Sequence, residues 1–334
     1  MSNEIRLGLP KGSLNTPGRG DTMQVLTDAG YDVRGYESGK ESPMKLSFVN
    51  DSEIRPFLRR PAGLPIELNR ELLDIAITGG DWVEEERVND GRYSVRKIGD
   101  LEYGQTRLVI AVAEKSDYES LSDLFKALSG RGRKRPILCF TEYVNLAARA
   151  FMQNEAYREL FGDKPPFVQY RGLTRGRNRC VQILGSDGAT EASIAMGADV
   201  IVDNSQSGQS LIDNRLREIG QVMVSAAGLY AGPSCIGWKE RKAQEIFEQL
   251  RGAVVGKRYF DVKFNIPVVC VERLKGYLIS AGLCANEPTI TQGDRYAAVN
   301  ILIPKRTFPG ILQTLKGGYS ASAIVRSEVK QYVE

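Results

Sequence analysis

"ADVIVDNSQSGQSLIDNRL", residues 198–216, ends an apolar run on an acid and follows it with a polar, glycine-bearing loop. Val200, Ile201 and Val202 are β-branched and suit a buried strand, which Asp203 closes. Residues 204–210 are polar, with Gly208 inside them. Leu211, Asn214, Arg215, Leu216 and Ile219 then recur at helical spacing and predict a helix from 211 to 219. Strand, loop and helix in that order form the unit of an open α/β sheet, where ligands bind beyond the carboxyl ends of the strands.

The same alternation runs outward in both directions. "IRLGLP" (5–10), "MKLSFV" (44–49), "TRLVIAVAEK" (106–115) and "QVMVSAAGLYAG" (221–232) read as strands, each of the last two as one. "MQVLTDAGY" (23–31) reads as a helix stopping at Gly30. "LLDIAITGGDWVEEE" (72–86) and "RPILCFTEYVNLAARAFM" (135–152) each run strand, turn, helix, and "ASIAMGADVIVD" (192–203) runs helix end to strand. Strands alternating with helices predict parallel sheets with helices on both faces. The character changes near residue 240. A charged amphipathic helix (240–258) precedes "YFDVKFNIP", "VVCVERLKGYLIS", "PTITQ", "YAAVNILIP", "KRTFPGILQTLKGG" and "SASAIVRSEV". That order is βαββαβ, a ferredoxin-like unit.

Composition narrows the chemistry. The 334 residues are 42% hydrophobic and 26% charged, with net charge +4, so the whole molecule does not advertise nucleic acid. No apolar run has the length of a membrane helix. "MSNEIRLGLPKGSL" enters a strand at once rather than a secretion leader, which places the expected location in the cytoplasm. Cys139, Cys180, Cys235, Cys270 and Cys284 form no CxxC pair. Histidine is absent altogether, which excludes a Ser–His–Asp triad, a Cys–His pair and histidine-ligated zinc. Acid–base chemistry near neutral pH would fall to carboxylates, lysine, tyrosine or the substrate.

Four glycine-bearing turns carry the candidate residues. In "DNSQSGQS" (203–210), Gly208 lets a ligand approach the backbone, and Ser205, Ser207 and Ser210 add hydroxyls beside Gln206 and Gln209. Open amides at a helix start suit a phosphate, and Asp203 can accept from two vicinal hydroxyls. An ordinary capped helix explains the same residues equally well. "KGS" supplies Lys11, Gly12 and Ser13 after the first strand, without the spacing of a phosphate-binding P-loop. "DIAITGGDWV" supplies Gly79, Gly80 and Asp81, with Trp82 expected in the core; "GSDGATEAS" supplies Gly188 and Glu191. Glu191 suits a helix N-terminus or, in a cleft, hydroxyls or a magnesium ion. Basic stretches at 130–136 and 171–179 read as solvated loops, with Arg171, Arg175, Arg177 or Arg179 as candidates to reach a polyphosphate.

In order and spacing, "RLGLPKGSL", "LLDIAITGGDWV", "YGQTRLVIAV", "TEYVNLAARAF", "GATEAS", "ADVIVDNSQSGQSLIDNRLREI" and "VSAAGLYAGP" resemble the motifs of the ATP phosphoribosyltransferase family, and the tail is similar to the regulatory domain of its long form. The resemblance implies a two-lobed, periplasmic-binding-protein-like α/β catalytic core with a C-terminal ferredoxin-like (ACT-like) regulatory domain. The expected division is 1–112 with 205–240 as lobe I, 113–204 as lobe II and 241–334 as the regulatory domain. It implies transfer of phosphoribosyl from phosphoribosyl pyrophosphate to N1 of ATP, with pyrophosphate released and Mg2+ accompanying the diphosphate. Asp203, Lys11 and Glu191 would be catalytic and residues 205–210 would hold the 5-phosphate. Gly12, Ser13, Gly79, Asp81 and Gly188 would line the substrates. Asn265 and Thr289 would sit at a histidine effector site in a homo-oligomer, dimer or hexamer, with no nucleic acid or membrane partner.

The chain also departs from that pattern. Ser207 and Ser210 stand where the family carries threonine, Asn204 and Val144 where it has an apolar residue and proline, and Asn265 where it often has an acid. Segments 15–21 and 55–69 are longer than usual and are expected to flank the cleft. The competing readings are a non-catalytic two-lobed ligand sensor and a transporter's solute-binding protein. Retained Lys11, Glu191 and Asp203 weigh against the first, and the unbroken entry into a strand weighs against the second.

Overall fold

The computed structural model describes residues 4–89, 91–130, 135–283 and 288–332. Cys284 and the 131–134 portion of the basic stretch lie outside the described residues. The chain divides into two compact units, Met1–Met23 with Val33–Gln244, and Gln24–Asp32 with Glu245–Glu334.

The first unit holds two sheets. The five-stranded one runs Ile54–Arg59, Ile5–Pro10, Ile75–Gly79, Ala227–Ala231, Arg96–Asp100. Its first three strands are parallel and Ala227–Ala231 is antiparallel to both neighbours. Ile75–Gly79 and Ala227–Ala231 are buried throughout, the pattern of strands covered on both faces. The seven-stranded sheet runs Leu173–Arg175, Pro166–Tyr170, Asn178–Gly185, Ile137–Thr141, Val200–Ser205, Thr106–Ala113, Leu216–Ser225. Its main core is aliphatic and aromatic, with Phe125 packed edge-on against Phe151 and Tyr157. Local caps fix the helix starts: Ser120 Oγ accepts from Asp123 N at 3.1 Å, and Asn154 Oδ1 from Tyr157 N at 3.2 Å.

The chain crosses from the first sheet to the second through 101–105 and returns at Ala226. The two crossings are tied together: Leu101 N donates to the Ala227 carbonyl at 3.0 Å, and Ala227 N to the Tyr103 carbonyl at 2.9 Å. The core is therefore two-lobed, but its seams differ from those expected. Residues 106–112 and 205–225 belong with the seven-stranded half, because Thr106–Ala113 pairs with both Val200–Ser205 and Leu216–Ser225.

Three local expectations are corrected as well. The helix expected from 211 to 219 is only Gln209–Asp213; Arg215 adopts φ 55° and Leu216–Ser225 continues as a strand. Leu216 and Ile219 fit a helical period by coincidence, while the ladder to Thr106–Ala113 decides the conformation. "QVMVSAAGLYAG" is two strands in different sheets, separated at Ala226. "MKLSFV" retains only Ser47–Phe48, and the strand beside Ile5–Pro10 is Ile54–Arg59, largely within the lengthened segment 55–69.

The second unit has a four-stranded antiparallel sheet, Thr289–Gln292, Tyr296–Pro304, Tyr259–Pro267, Ser322–Glu328. With helices Val271–Ser280 and Phe308–Tyr319, this is the ferredoxin-like order. Val262, Phe264, Ile266, Val299, Ile301 and Ile303 face a core that includes Leu274, Leu278, Ile311 and Leu315. By alternation Asn265 points to the other face. Thr289 is also exposed, opposite Asn300, and the strand Tyr296–Pro304 separates it from Asn265.

Candidate active site

Both halves of the first unit contribute to a cleft of about 410 Å3. The five-stranded half brings Ser13, Arg19, Gly79, Asp81 and Trp82 to it; the seven-stranded half brings Glu191, Asp203, Asn204 and the loop after them. Asp203 sits near the end of Val200–Ser205, registered opposite Val109. Burial pushes its carboxyl up to about 7, and the nearby Glu191 and Glu142 carboxylates add to the rise. The Asn204 amide, donating to Asp203 Oδ1 at 2.8 Å, opposes it. A carboxyl balanced between two protonation states at neutral pH is suited to accepting hydroxyl hydrogen bonds or facing a developing cation.

Beyond Asp203, Gln206, Ser207, Gln209 and Ser210 line the cleft. Gly208 has φ 81°, a conformation glycine adopts freely, and a Cβ there would meet nothing within 4 Å. The following helix has five residues, so its dipole is small, and loop amides and hydroxyls must carry most of any anion binding. Ser205 does not join them. It is 1% exposed and its Oγ has no hydrogen-bond partner.

Asp81 faces the cleft with its charge already committed. Tyr143 Oη donates to Asp81 Oδ2 at 2.6 Å, Asn204 Nδ2 to the same oxygen at 3.1 Å, and Ser225 Oγ to Oδ1 at 2.9 Å. Asn204 Nδ2 also donates to Tyr143 Oη. Asp81 therefore ties the start of helix Gly80–Asn89 to the opposite half. A Cβ at Gly79 would lie 2.2 Å from Asp81 Oδ1, so a side chain there would push the Asp81 carboxylate off its partners. Trp82, expected in the core, lines the cleft and stacks on Tyr143 at 4.1 Å between ring centroids.

Glu85, one helical turn on, was not singled out by its sequence context. It is 4% exposed and accepts the backbone N–H groups of Asn145 and Leu146, each at 2.8 Å. It thus caps helix Val144–Gln153 of the other half. Burial raises its carboxyl to about 7 against those two bonds. Arg149 pairs with Glu84 at 2.6 Å along the same seam.

The remaining expected residues fall elsewhere. Lys11 and Gly12 are exposed and do not line the cleft, although Ser13 does. Lys11 N is held by the Arg59 carbonyl at 2.8 Å. Gly188, at φ 105°, lies in the turn before Thr190–Ile194, off the cleft wall, while Glu191 reaches it. Of the candidate arginines, Arg171 and Arg175 line a second cavity of about 430 Å3 with Arg60, Tyr170 and Leu173. Trp82 borders both cavities. Arg179 lies over the Phe167 ring at 3.9 Å, and Arg177 is exposed.

Fold and cleft define a two-lobed α/β protein with an open cleft between its halves. Residues 60–252 match the family described as HisG, ATP phosphoribosyltransferase. The chain belongs to the ATP phosphoribosyltransferase family, transferases of the first step of histidine biosynthesis. ATP phosphoribosyltransferase of Pelotomaculum thermopropionicum is 28% identical over 322 residues, covering 94% of each chain. That of Koribacter versatilis is 28% identical over 337 residues, covering 99% of each. Among solved structures, the ATP phosphoribosyl transferase (HisG:HisZ) complex from Thermotoga maritima matches with TM-score 0.50 and 21% identity, over 75% of this chain and 98% of that one, a likeness of fold. No described helix is long and apolar enough to cross a membrane.

Proposed function

We propose that the chain transfers the phosphoribosyl group of phosphoribosyl pyrophosphate to N1 of ATP, with the chemistry centred on Asp203. The observation that carries this reading is that Asp203 and Gln206, Ser207, Gln209 and Ser210 line the same cleft. Asp203 accepts the ribose hydroxyls. Ser207, Ser210 and the amides around Gly208 hold the 5-phosphate. Pyrophosphate departure leaves positive charge on the ribose ring, and the Asp203 and Glu191 carboxylates stabilise it electrostatically. Adenine N1 attacks with its own lone pair, so no general base is needed and the absence of histidine is no obstacle. Positioning supplies most of the remaining rate.

Among the described residues no cluster of three His, Cys, Asp or Glu side chains could cage a metal. The oxygen donors of Glu191 and Asp203 suit a hard cation that arrives on its diphosphate rather than in a protein cage. Mg2+ bound in that way neutralises charge on the leaving pyrophosphate. Arg60, Arg171 and Arg175, around a cavity that shares Trp82 with the cleft, suit the triphosphate of the nucleotide.

Asn265 and Thr289 on the open sheet face of the second unit support an effector role for that unit, with histidine as effector and a homo-oligomer, dimer or hexamer, as the assembled form. The deciding experiment follows pyrophosphate release from phosphoribosyl pyrophosphate with ATP and Mg2+, with and without histidine. Release that requires both substrates supports the reading; binding without release returns the chain to a ligand sensor.

A further inference from the structure

Among the described residues lining the cleft, Arg19 alone carries a positive charge, against the carboxylates of Asp81, Glu191, Asp203 and Asp213. A cleft of that balance repels a polyanion unless a cation offsets it. Asp81 is spoken for by its three donors, and Asp213 by Gln209 Nε2 at 2.7 Å. Asp203 accepts the Asn204 backbone N–H at 2.8 Å, and with Glu191 it faces the cleft. Lys11, the cation nearest in sequence, does not line this wall.

Arg19 belongs to the lengthened segment 15–21, and that segment is anchored. Asn15 is fully buried, its Nδ2 donating to the Tyr36 carbonyl at 3.2 Å and to Glu41 Oε1 at 2.9 Å. Arg19 N and Gly20 N both bond to the Thr16 carbonyl, at 3.0 and 3.1 Å. Gly20 is packed so tightly on Leu14 that a Cβ would lie 2.4 Å from the Leu14 carbonyl oxygen. The segment also touches the phosphate-side loop: Gln206 Nε2 donates to the Arg19 carbonyl at 3.2 Å. The Arg19 side chain itself is exposed at the cleft.

Resting on the function proposed above, we propose that Arg19 is a substrate-binding residue that pairs with the diphosphate of phosphoribosyl pyrophosphate, and that segment 15–21 serves to bring it there. A guanidinium matches phosphoryl oxygens with paired N–H donors, so it adds geometry as well as charge. The contact with Gln206 couples the two anion-binding ends of one substrate.

The test compares wild type, R19Q and R19K in the pyrophosphate-release assay with Mg2+, varying each substrate in turn. R19Q is expected to raise KM for phosphoribosyl pyrophosphate about 10- to 100-fold, the scale of one charge-assisted hydrogen bond, with KM for ATP unchanged. R19K is expected to recover part of that loss. An unchanged KM for phosphoribosyl pyrophosphate in R19Q overturns the proposal, as does an equal rise for both substrates, which would mean that the wall rather than the guanidinium had changed. A wild-type enzyme that releases no pyrophosphate refutes the underlying function instead, so the two failures are distinguishable.

Discussion

Glu85 and Asn145 face each other across the two halves of the first unit: the Glu85 carboxylate accepts the Asn145 backbone N–H at 2.8 Å, while Asn145 Nδ2 donates to the Glu85 carbonyl at 3.1 Å. One residue thus caps a helix that belongs to the opposite sheet. This reciprocal pair joins the two halves, so it stabilises their apposition across the cleft rather than either sheet alone.

Replacing Glu85 with alanine leaves two amides at a helix start without an acceptor. We expect a loss of about 1–3 kcal/mol in unfolding free energy and a rise in KM for both substrates. Urea titration and kinetics check this. E85Q keeps one acceptor and should lose roughly half as much; full loss in E85Q would show that charge, not hydrogen bonding, matters there.

Asp203→Asn tests the carboxylate at the centre of the proposed chemistry. Pyrophosphate release should fall by about 10²- to 10³-fold, the scale of removing one preorganised electrostatic contact. The fold should not suffer, because burial already disfavours the charged form of this group. Near-normal turnover would place Asp203 outside the reaction.

The pH profile has a definite sign. Asp203 and Glu85 are both raised to about 7 in the folded chain, above their ordinary carboxylate values. The folded state therefore holds protons that the unfolded chain has released, and stability declines as pH rises from roughly 4 to about 7. Asp74 acts oppositely. It is fully buried, and although burial favours its neutral form, hydrogen bonds from Arg6 and Lys239 outweigh that and lower it to about 2. Its contribution is present above the unfolded value and lost as pH falls toward 2. Denaturation midpoints across that range should drop at both ends, and the double variant D203N/E85Q should flatten only the upper side. Turnover should follow the ionised form of Asp203 and weaken below about 7.

Gly208→Ala puts a side chain at φ 81° in open space. The cost is conformational, about 1–2 kcal/mol, and falls on the loop rather than on packing. KM for phosphoribosyl pyrophosphate should rise about tenfold with that for ATP unaffected. Equal kinetics would mean that the loop backbone does not meet the phosphate.

The strands carrying Asp203, Gly79 and Thr141 were legible because each is a continuous apolar run ending in a polar turn. The loop after Asp203 was legible for the same reason. The first half of Leu216–Ser225 was not, since Leu216 and Ile219 fit a helical period and only the ladder with Thr106–Ala113 distinguishes the two conformations. Ile54–Arg59 was hidden by Arg55, Pro56 and Arg59, residues at odds with a strand interior, and it lies at the sheet edge where they are tolerated. Glu85, Tyr143 and Arg19 were missed or underrated because their partners lie scores of positions away in the chain, a separation that no local pattern encodes.

Ala227–Ala231 fills the gap between Ile75–Gly79 and Arg96–Asp100. Until the ribosome has added that late strand, the two earlier ones have no partner on their facing edges, and half a sheet is exposed to whatever else is nearby. The first-made portion of this protein must therefore wait for residues synthesised more than a hundred positions later before it can close, and a chain truncated just before Ala227 should collect in aggregates rather than leave behind a folded fragment.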